Sequence, residues 1–341
     1  MSILIAAAVF IGIVLLYLVI IVFFPVLAVD EQAIERSGEP ESPPPYRQDV
    51  SFMVDGEVIN AWLYLPESAA RPAPCVVMCH GFGGTKDCLL EKYAQRFVEA
   101  GYATLTFDYR HFGDSEGEPR QMYSTLYQLD DLRAAVSYAR SCNEINPHKI
   151  VLWGTSAAGG YGLAIAAEDA GIAAVITQCA ALDHQADNKL YMERDGLGWF
   201  LGLLVHAQRD KGRSRFGLAP HTFPIVGQPG TTAMLTAPGA FEGYTMIAQN
   251  SNTFRNEVCA RLFFAPHGPN LMQAAEKVQC PVLLLGCEHD NLAAPDGYKR
   301  IAAILGDKAI VRNYPIGHFD IYDGEYFKTA VSEKLALLKT I

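Results

Sequence analysis

The chain has 341 residues, half of them hydrophobic and 19% charged, enough for one large domain with an appendage or for two small ones. Its formal net charge of −10 excludes an extended phosphate-binding face, which needs clustered lysine and arginine, so no nucleic-acid partner is expected. Its eight cysteines show neither Cys-x-x-Cys nor metal-ligand spacing; several lie in apolar runs, where a free thiol acts as a small hydrophobe, so reduced thiols and no metal are expected.

From Ile3 to Val29 no charged residue interrupts the apolar run, long enough to cross a hydrocarbon core of about 30 Å at about 1.5 Å per residue. A cleaved signal peptide has a basic n-region and a shorter apolar stretch; here only Met1 and Ser2 precede the run. Residues 1–29 therefore read as a transmembrane anchor, with the lipid bilayer as a partner. Neither flank carries the Lys/Arg excess that sets orientation, so sidedness stays open. Residues 30–48, with Pro43-Pro44-Pro45 and scattered charges, read as a partly stiff linker.

The body, 49–341, alternates short apolar runs with helical stretches. Strands are predicted at 50–54, 58–65, 75–79, 103–107, 150–153, 173–177, 282–285 and 310–314, and helices near 87–100, 127–141, 156–168, 296–305 and 325–339. The first two strands, joined at Asp55-Gly56, form a hairpin; the alternation that follows predicts a mostly parallel, eight-stranded α/β sheet with helices on both faces. About a hundred residues separate the sixth and seventh strands, too many for an ordinary connection. With the apolar stretch Leu197–Val205 and a Gly/Pro-rich passage over 217–239, the region 184–275 reads as an inserted cap; helices added to the exterior are the alternative.

Three segments carry chemistry. Trp153-Gly-Thr-Ser156-Ala-Ala-Gly-Gly160 follows an apolar strand and opens a helix; a serine on such a sharp turn needs small neighbours, and Gly154 is one. The second small position is Ala158 rather than the usual glycine, with Gly159 behind it. At a helix N-terminus Ser156 also meets free N–H groups that favour developing negative charge. His80-Gly-Phe-Gly-Gly84 follows the third strand, and its Gly-rich turn can aim backbone donors at one point; the N–H groups of Phe82 and Ala157 are the expected oxyanion hole. Gly286-Cys-Glu-His-Asp290 and Tyr314-Pro-Ile-Gly-His318 follow the last two strands. The order Ser, acid, His makes Ser156, Asp290 and His318 the expected catalytic triad. His80 and His289 are weaker rivals for the base, and Asp183 and Asp296 for the acid. The polar Asp108–Ser115 stretch reads as a self-bonded loop.

These motifs, with Asp108-Tyr-Arg-His-Phe-Gly-Asp-Ser-Glu-Gly and Tyr314-Pro-Ile-Gly-His-Phe-Asp-Ile-Tyr322, make the body resemble the α/β-hydrolase superfamily, in the branch of dienelactone-hydrolase-like proteins and fungal polyketide transferases. The resemblance implies the α/β-hydrolase fold, with the residues matching Ser156, Asp290 and His318 acting as a triad and no cofactor. Dienelactone hydrolases proper use a cysteine nucleophile, and dehalogenases and epoxide hydrolases an aspartate, where this chain has Ser156. The expected activity is that of a serine hydrolase on a small-molecule carboxylic ester or thioester, lipophilic in view of the Phe-, Leu- and Met-bearing cap. Transfer of the acyl group to an alcohol is the close alternative, peptide hydrolysis a third, and a non-catalytic scaffold that keeps the fold a fourth.

Overall fold

The computed structural model describes residues 2–24, 27–29, 32–34, 43–67 and 72–341. Among them, eight strands build one sheet: β1 (Arg47–Val54), β2 (Glu57–Tyr64), β3 (Ala73–Cys79), β4 (Ala103–Phe107), β5 (Ile145–Thr155), β6 (Ile172–Gln178), β9 (Val282–Cys287) and β10 (Ala309–Tyr314), in the order β1-β2-β4-β3-β5-β6-β9-β10. Strand β2 runs antiparallel to both of its neighbours and the other pairings are parallel. The hairpin turns on Asp55 (φ 51°) and Gly56 (φ 92°), two successive left-handed residues whose twist matches the flanking strands.

Alternation along the strands divides the core. Cys75, Val77, Leu105, Leu152, Val175 and Leu284 face one side and meet α3 (Thr125–Ser141), α4 (Tyr161–Glu168), α7 (Leu271–Lys277) and α8 (Asp296–Leu305). Val76, Met78, Val151, Trp153, Ile176 and Leu283 face the other and meet α2 (Leu90–Glu99) and α9 (Gly324–Leu338). Burial on both faces is why the inner strands read as continuous apolar runs. Helix α2 buries Leu90, Tyr93, Ala94, Phe97 and Val98, the spacing of one helix face. All eight cysteines are free thiols.

The segment between β6 and β9 holds α5 (His184–Arg215), kinked at Gly196 (φ 79°), the short paired strands β7 (Thr222–Phe223) and β8 (Val258–Cys259), α6 (Ala240–Ala248) and α7. It has its own apolar cluster, in which Leu203, Phe223, Ile225, Tyr244 and Phe254 gather around Phe82 of the body. Asp87 ties it down: Oδ1 accepts from the hydroxyls of Ser251 (2.7 Å) and Thr253 (2.9 Å), and Oδ2 from the Asn252 N–H (2.8 Å).

Helix α1 (Ser2–Phe23) is long and apolar enough over Leu4–Phe23 to cross a membrane, and most of that length is uncovered by protein. Its C-terminal end rests on α5, whose Arg209 and Arg213 donate to the carbonyls of Ile21, Phe24 and Val22. These are carbonyls a helix terminus leaves without partners. Of the expected linker, residues 30, 31 and 35–42 lie outside the described residues.

Candidate active site

The parallel strands bring their carboxyl ends to one edge, where ligands of open α/β sheets bind. Ser156 follows β5 directly, with φ 55°, a left-handed conformation that costs a non-glycine residue of order 1–3 kcal/mol. Its carbonyl is held by the N–H groups of Gly159 and Ala181, each at 3.0 Å. The turn is crowded. A Cβ on Gly154 would lie 2.3 Å from the Ala158 carbonyl oxygen, one on Gly81 2.9 Å from Ser156 Cβ, and one on Gly159 2.2 Å from Ala180 Cβ. The packing thus tolerates alanine at 158 and demands glycine at 159. The helix expected to start at 156 begins as a 3₁₀ turn over Ser156–Ala158 and becomes α only at Tyr161, because the positive φ of Ser156 cannot enter an α-helix.

Asp290 and His318 lie on the loops after the neighbouring strands β9 and β10, and backbone bonds zip these loops together: the Glu288 N–H donates to Tyr314 O (2.8 Å) and the His289 N–H to Ile316 O (3.0 Å). His318 Nδ1 is then 2.7 Å from Asp290 Oδ2, and Nε2 is 3.0 Å from Ser156 Oγ. The second oxygen of Asp290 accepts from the N–H groups of Leu292 and Ala293, both at 2.8 Å, which fixes the carboxylate plane. Asp290 and His318 are buried. Burial, the largest single influence, lowers the imidazole pKa; the charge and hydrogen bond of Asp290, with Cys179, together outweigh it and raise the pKa to about 9.

Of the two expected oxyanion donors, Phe82 lines the space beside Ser156. Ala157 is inside the first turn of the 3₁₀ segment, where N–H groups lack an intrahelical acceptor. The Phe82 N–H has no acceptor among the described residues, while its carbonyl accepts from Tyr244 Oη at 2.7 Å. A cavity of about 30 Å³ lies between His80, Phe82, Ser156, Tyr244, Ile247, His318 and Phe319, room for about one water.

The weaker candidates have other partners, although His80 also lines the cavity. His80 Nδ1 is 3.1 Å from Gly81 O and its ring stands edge-on to Tyr109 at 4.6 Å; burial lowers its pKa. The His289 side chain is exposed. Asp183 caps α5 through the N–H groups of Gln185 and Ala186 and pairs with Arg300. Asp296 opens α8 and bonds Lys299. The Asp108 loop is self-bonded: Asp108 accepts from Lys86 Nζ (2.6 Å) and the Asp114 N–H (2.9 Å).

Three residues at the site were not foreseen. Tyr244 and Phe319 meet across the cavity with rings 5.7 Å apart, and a Cβ on Gly243 would strike Phe319 at 2.2 Å. Asp187 of α5 is buried, with Oδ1 accepting from the Ala294 N–H at 2.7 Å; burial raises its pKa to about 7, and Asp183 and Asp290 push the same way. Both Tyr244 and Asp187 reach the site through the fold of the insertion, which no local motif announces.

Comparison with known proteins agrees with this architecture. The family model described as "alpha/beta hydrolase fold" matches residues 74–325. Quorum-quenching protein AidA of Acinetobacter baumannii is 39% identical over 295 residues, covering 86% of this chain and 94% of its own length. Polyketide transferase ATR5 of Stachybotrys chlorohalonatus is 27% identical over 307 residues, covering 86% and 97%. The crystal structure of the α/β hydrolase GrgF from a Penicillium species superposes with a TM-score of 0.73 at 23% identity, covering 86% of this chain and 98% of that one, a likeness of fold.

Proposed function

The chain belongs to the α/β-hydrolase family, and we propose that it is a serine hydrolase that cleaves a carboxylic ester or thioester through an acyl-enzyme on Ser156. The observation that carries this reading is the unbroken row from Asp290 Oδ2 through His318 to Ser156 Oγ, with steps of 2.7 and 3.0 Å. In the reaction, Ser156 Oγ attacks the carbonyl carbon as its proton passes to His318 Nε2. The carbonyl oxygen takes the electron pair and is held by the N–H groups of Phe82 and Ala157. Collapse expels the alcohol or thiol, which leaves with the proton from His318. Water then repeats the cycle on the acyl group, and Asp290 stabilises the imidazolium in both halves.

Residues 184–275 act as a cap in this reading. A cavity of about 30 Å³ is roughly tenfold smaller than a ligand pocket, so substrate entry requires α6 with Tyr244 to move away from Phe319. The apolar cluster around Phe82 suits a lipophilic acyl chain, and α1 serves as an uncleaved membrane anchor that keeps the enzyme where such substrates partition. The relative named for quorum quenching makes an acyl-bearing quorum signal a substrate to assay.

Ser156→Ala and His318→Ala are each expected to lower turnover of p-nitrophenyl esters by about 10⁴–10⁶-fold; activity within tenfold of the parent would sink the proposal. In a chain-length series kcat/KM should rise beyond acetyl, and a sharp acetyl preference contradicts the lipophilic assignment. A second reading, acyl transfer to an alcohol, is favoured by the polyketide transferase relative. Partition of one acyl-enzyme between water and added alcohols decides it.

A further inference from the structure

Beyond the kink at Gly196, α5 presents a row with no function in the chemistry above. Leu197, Leu201, Leu204, Gln208, Lys211 and Arg215 recur at steps of three and four and so share one face. The row is apolar at its start, where Leu197 is 59% and Leu201 51% exposed, and basic at its end; Phe216 beside it is 64% exposed. Exposed apolar side chains in a row call for a partner.

The far end of this face is where α1 crosses. A Cβ on Gly212 would strike Val22 at 2.3 Å, and Phe23 packs on Phe216 with rings 5.1 Å apart. Leu15, Leu18 and Val19 of α1 line a crevice of about 600 Å³ with Lys211, Arg215 and Phe264. The charge there is one-sided in an acidic chain. Arg209 and Arg213 hold the carbonyls of α1, while Lys211 and Arg215 make no ion pair among the described residues. The one acid in the stretch, Asp210, is buried against Arg261 Nε at 3.0 Å.

We propose that this face of α5 lies on an anionic phospholipid bilayer, with Leu197, Leu201 and Phe216 at the acyl boundary and Lys211 and Arg215 on lipid phosphates. The occupant follows from continuity: a helix that enters the hydrocarbon brings whatever packs on its last turns to the headgroup level, where apolar residues beside snorkelling cations are stable. The proposal rests on the reading of α1 as an anchor.

The test uses the full chain reconstituted in vesicles of phosphatidylcholine with and without phosphatidylglycerol, carrying Leu201→Trp, or Lys189→Trp at an exposed position in the first half of α5. With brominated acyl chains, the larger part of the added Leu201→Trp emission should be lost and that of Lys189→Trp retained. Adding Lys211→Glu and Arg215→Glu should relieve the loss in anionic vesicles while the chain still co-sediments. Equal emission at the two positions in vesicles that hold the chain overturns the proposal and leaves the anchor standing. Emission that responds to protein density and not to bromine overturns it in favour of a second copy. A chain released from vesicles by alkaline extraction overturns the anchor reading, and this one with it.

Discussion

The two oxygens of Asp290 have different partners, and on the proposed mechanism the pH behaviour follows from that division. Oδ1 is spent on the N–H groups of Leu292 and Ala293, and Oδ2 alone faces His318. Asn at this position can keep the backbone bonds, but it offers an amide N–H to Nδ1 and so selects the wrong tautomer. Asp290→Asn should therefore lower kcat by about 10⁴-fold with little change in KM; a loss under tenfold would argue that Asp290 is not the orienting acid. The sign of the pH effect follows from His318. Only the neutral imidazole accepts the Ser156 proton, and its pKa is raised to about 9, against the pull of burial, chiefly by the Asp290 carboxylate. The kcat/KM profile should then rise as pH increases through the alkaline range. Without the carboxylate, burial dominates, so the residual activity of Asp290→Asn should rise at lower pH than the parent. A limb that stays in place or moves to higher pH contradicts this assignment.

Among the groups that hold the insertion to the body, Asp87 gathers several of its donors on one carboxylate. It accepts from Ser251, Asn252 and Thr253, so Asp87→Ala leaves several donors without an acceptor, at about 1–3 kcal/mol for each that stays buried. Amides of 251–254 are expected to exchange with deuterium faster while those of β5 keep their protection; unchanged exchange there would remove Asp87 from this role. The same contrast explains what was legible beforehand. The inner parallel strands were readable because a strand buried on both faces is apolar throughout, the first two from the turn at Asp55-Gly56 between them, and α2 because its buried residues repeat at helical spacing. The elbow was readable because sterics demand small residues around Ser156; only the displacement of the strict requirement from 158 to 159 needed coordinates. Helix α6 and the roles of Tyr244 and Asp187 were not readable, since they arise where the insertion lands on the body, and packing of that kind leaves no period in the chain. Helix α5 was hidden for another reason: Gly196, Gly198, Gly202 and Gly212 weaken its helical signature, and one of them bends it.

On the anchor reading, helix α1 and the sheet joined to it make one molecule with two environments. The flanks of the apolar run carry no basic excess, yet folding brings Arg209, Lys211, Arg213 and Arg215 to its end from about 190 residues away in sequence. A count of charges along the chain cannot register such a gathering. If α1 is an anchor, the protein should stay in the membrane pellet at alkaline pH and be released only by detergent; release by carbonate would refute it. On the proposed mechanism the arrangement as a whole serves one event, formation of a covalent bond between Ser156 Oγ and an acyl carbon. Its most direct test is a fluorophosphonate probe, followed by peptide mass spectrometry of the labelled protein. The expected result is a single phosphonyl adduct on Ser156, absent in Ser156→Ala and strongly slowed in His318→Ala. An adduct on any other side chain, or labelling that persists in Ser156→Ala, would contradict the account.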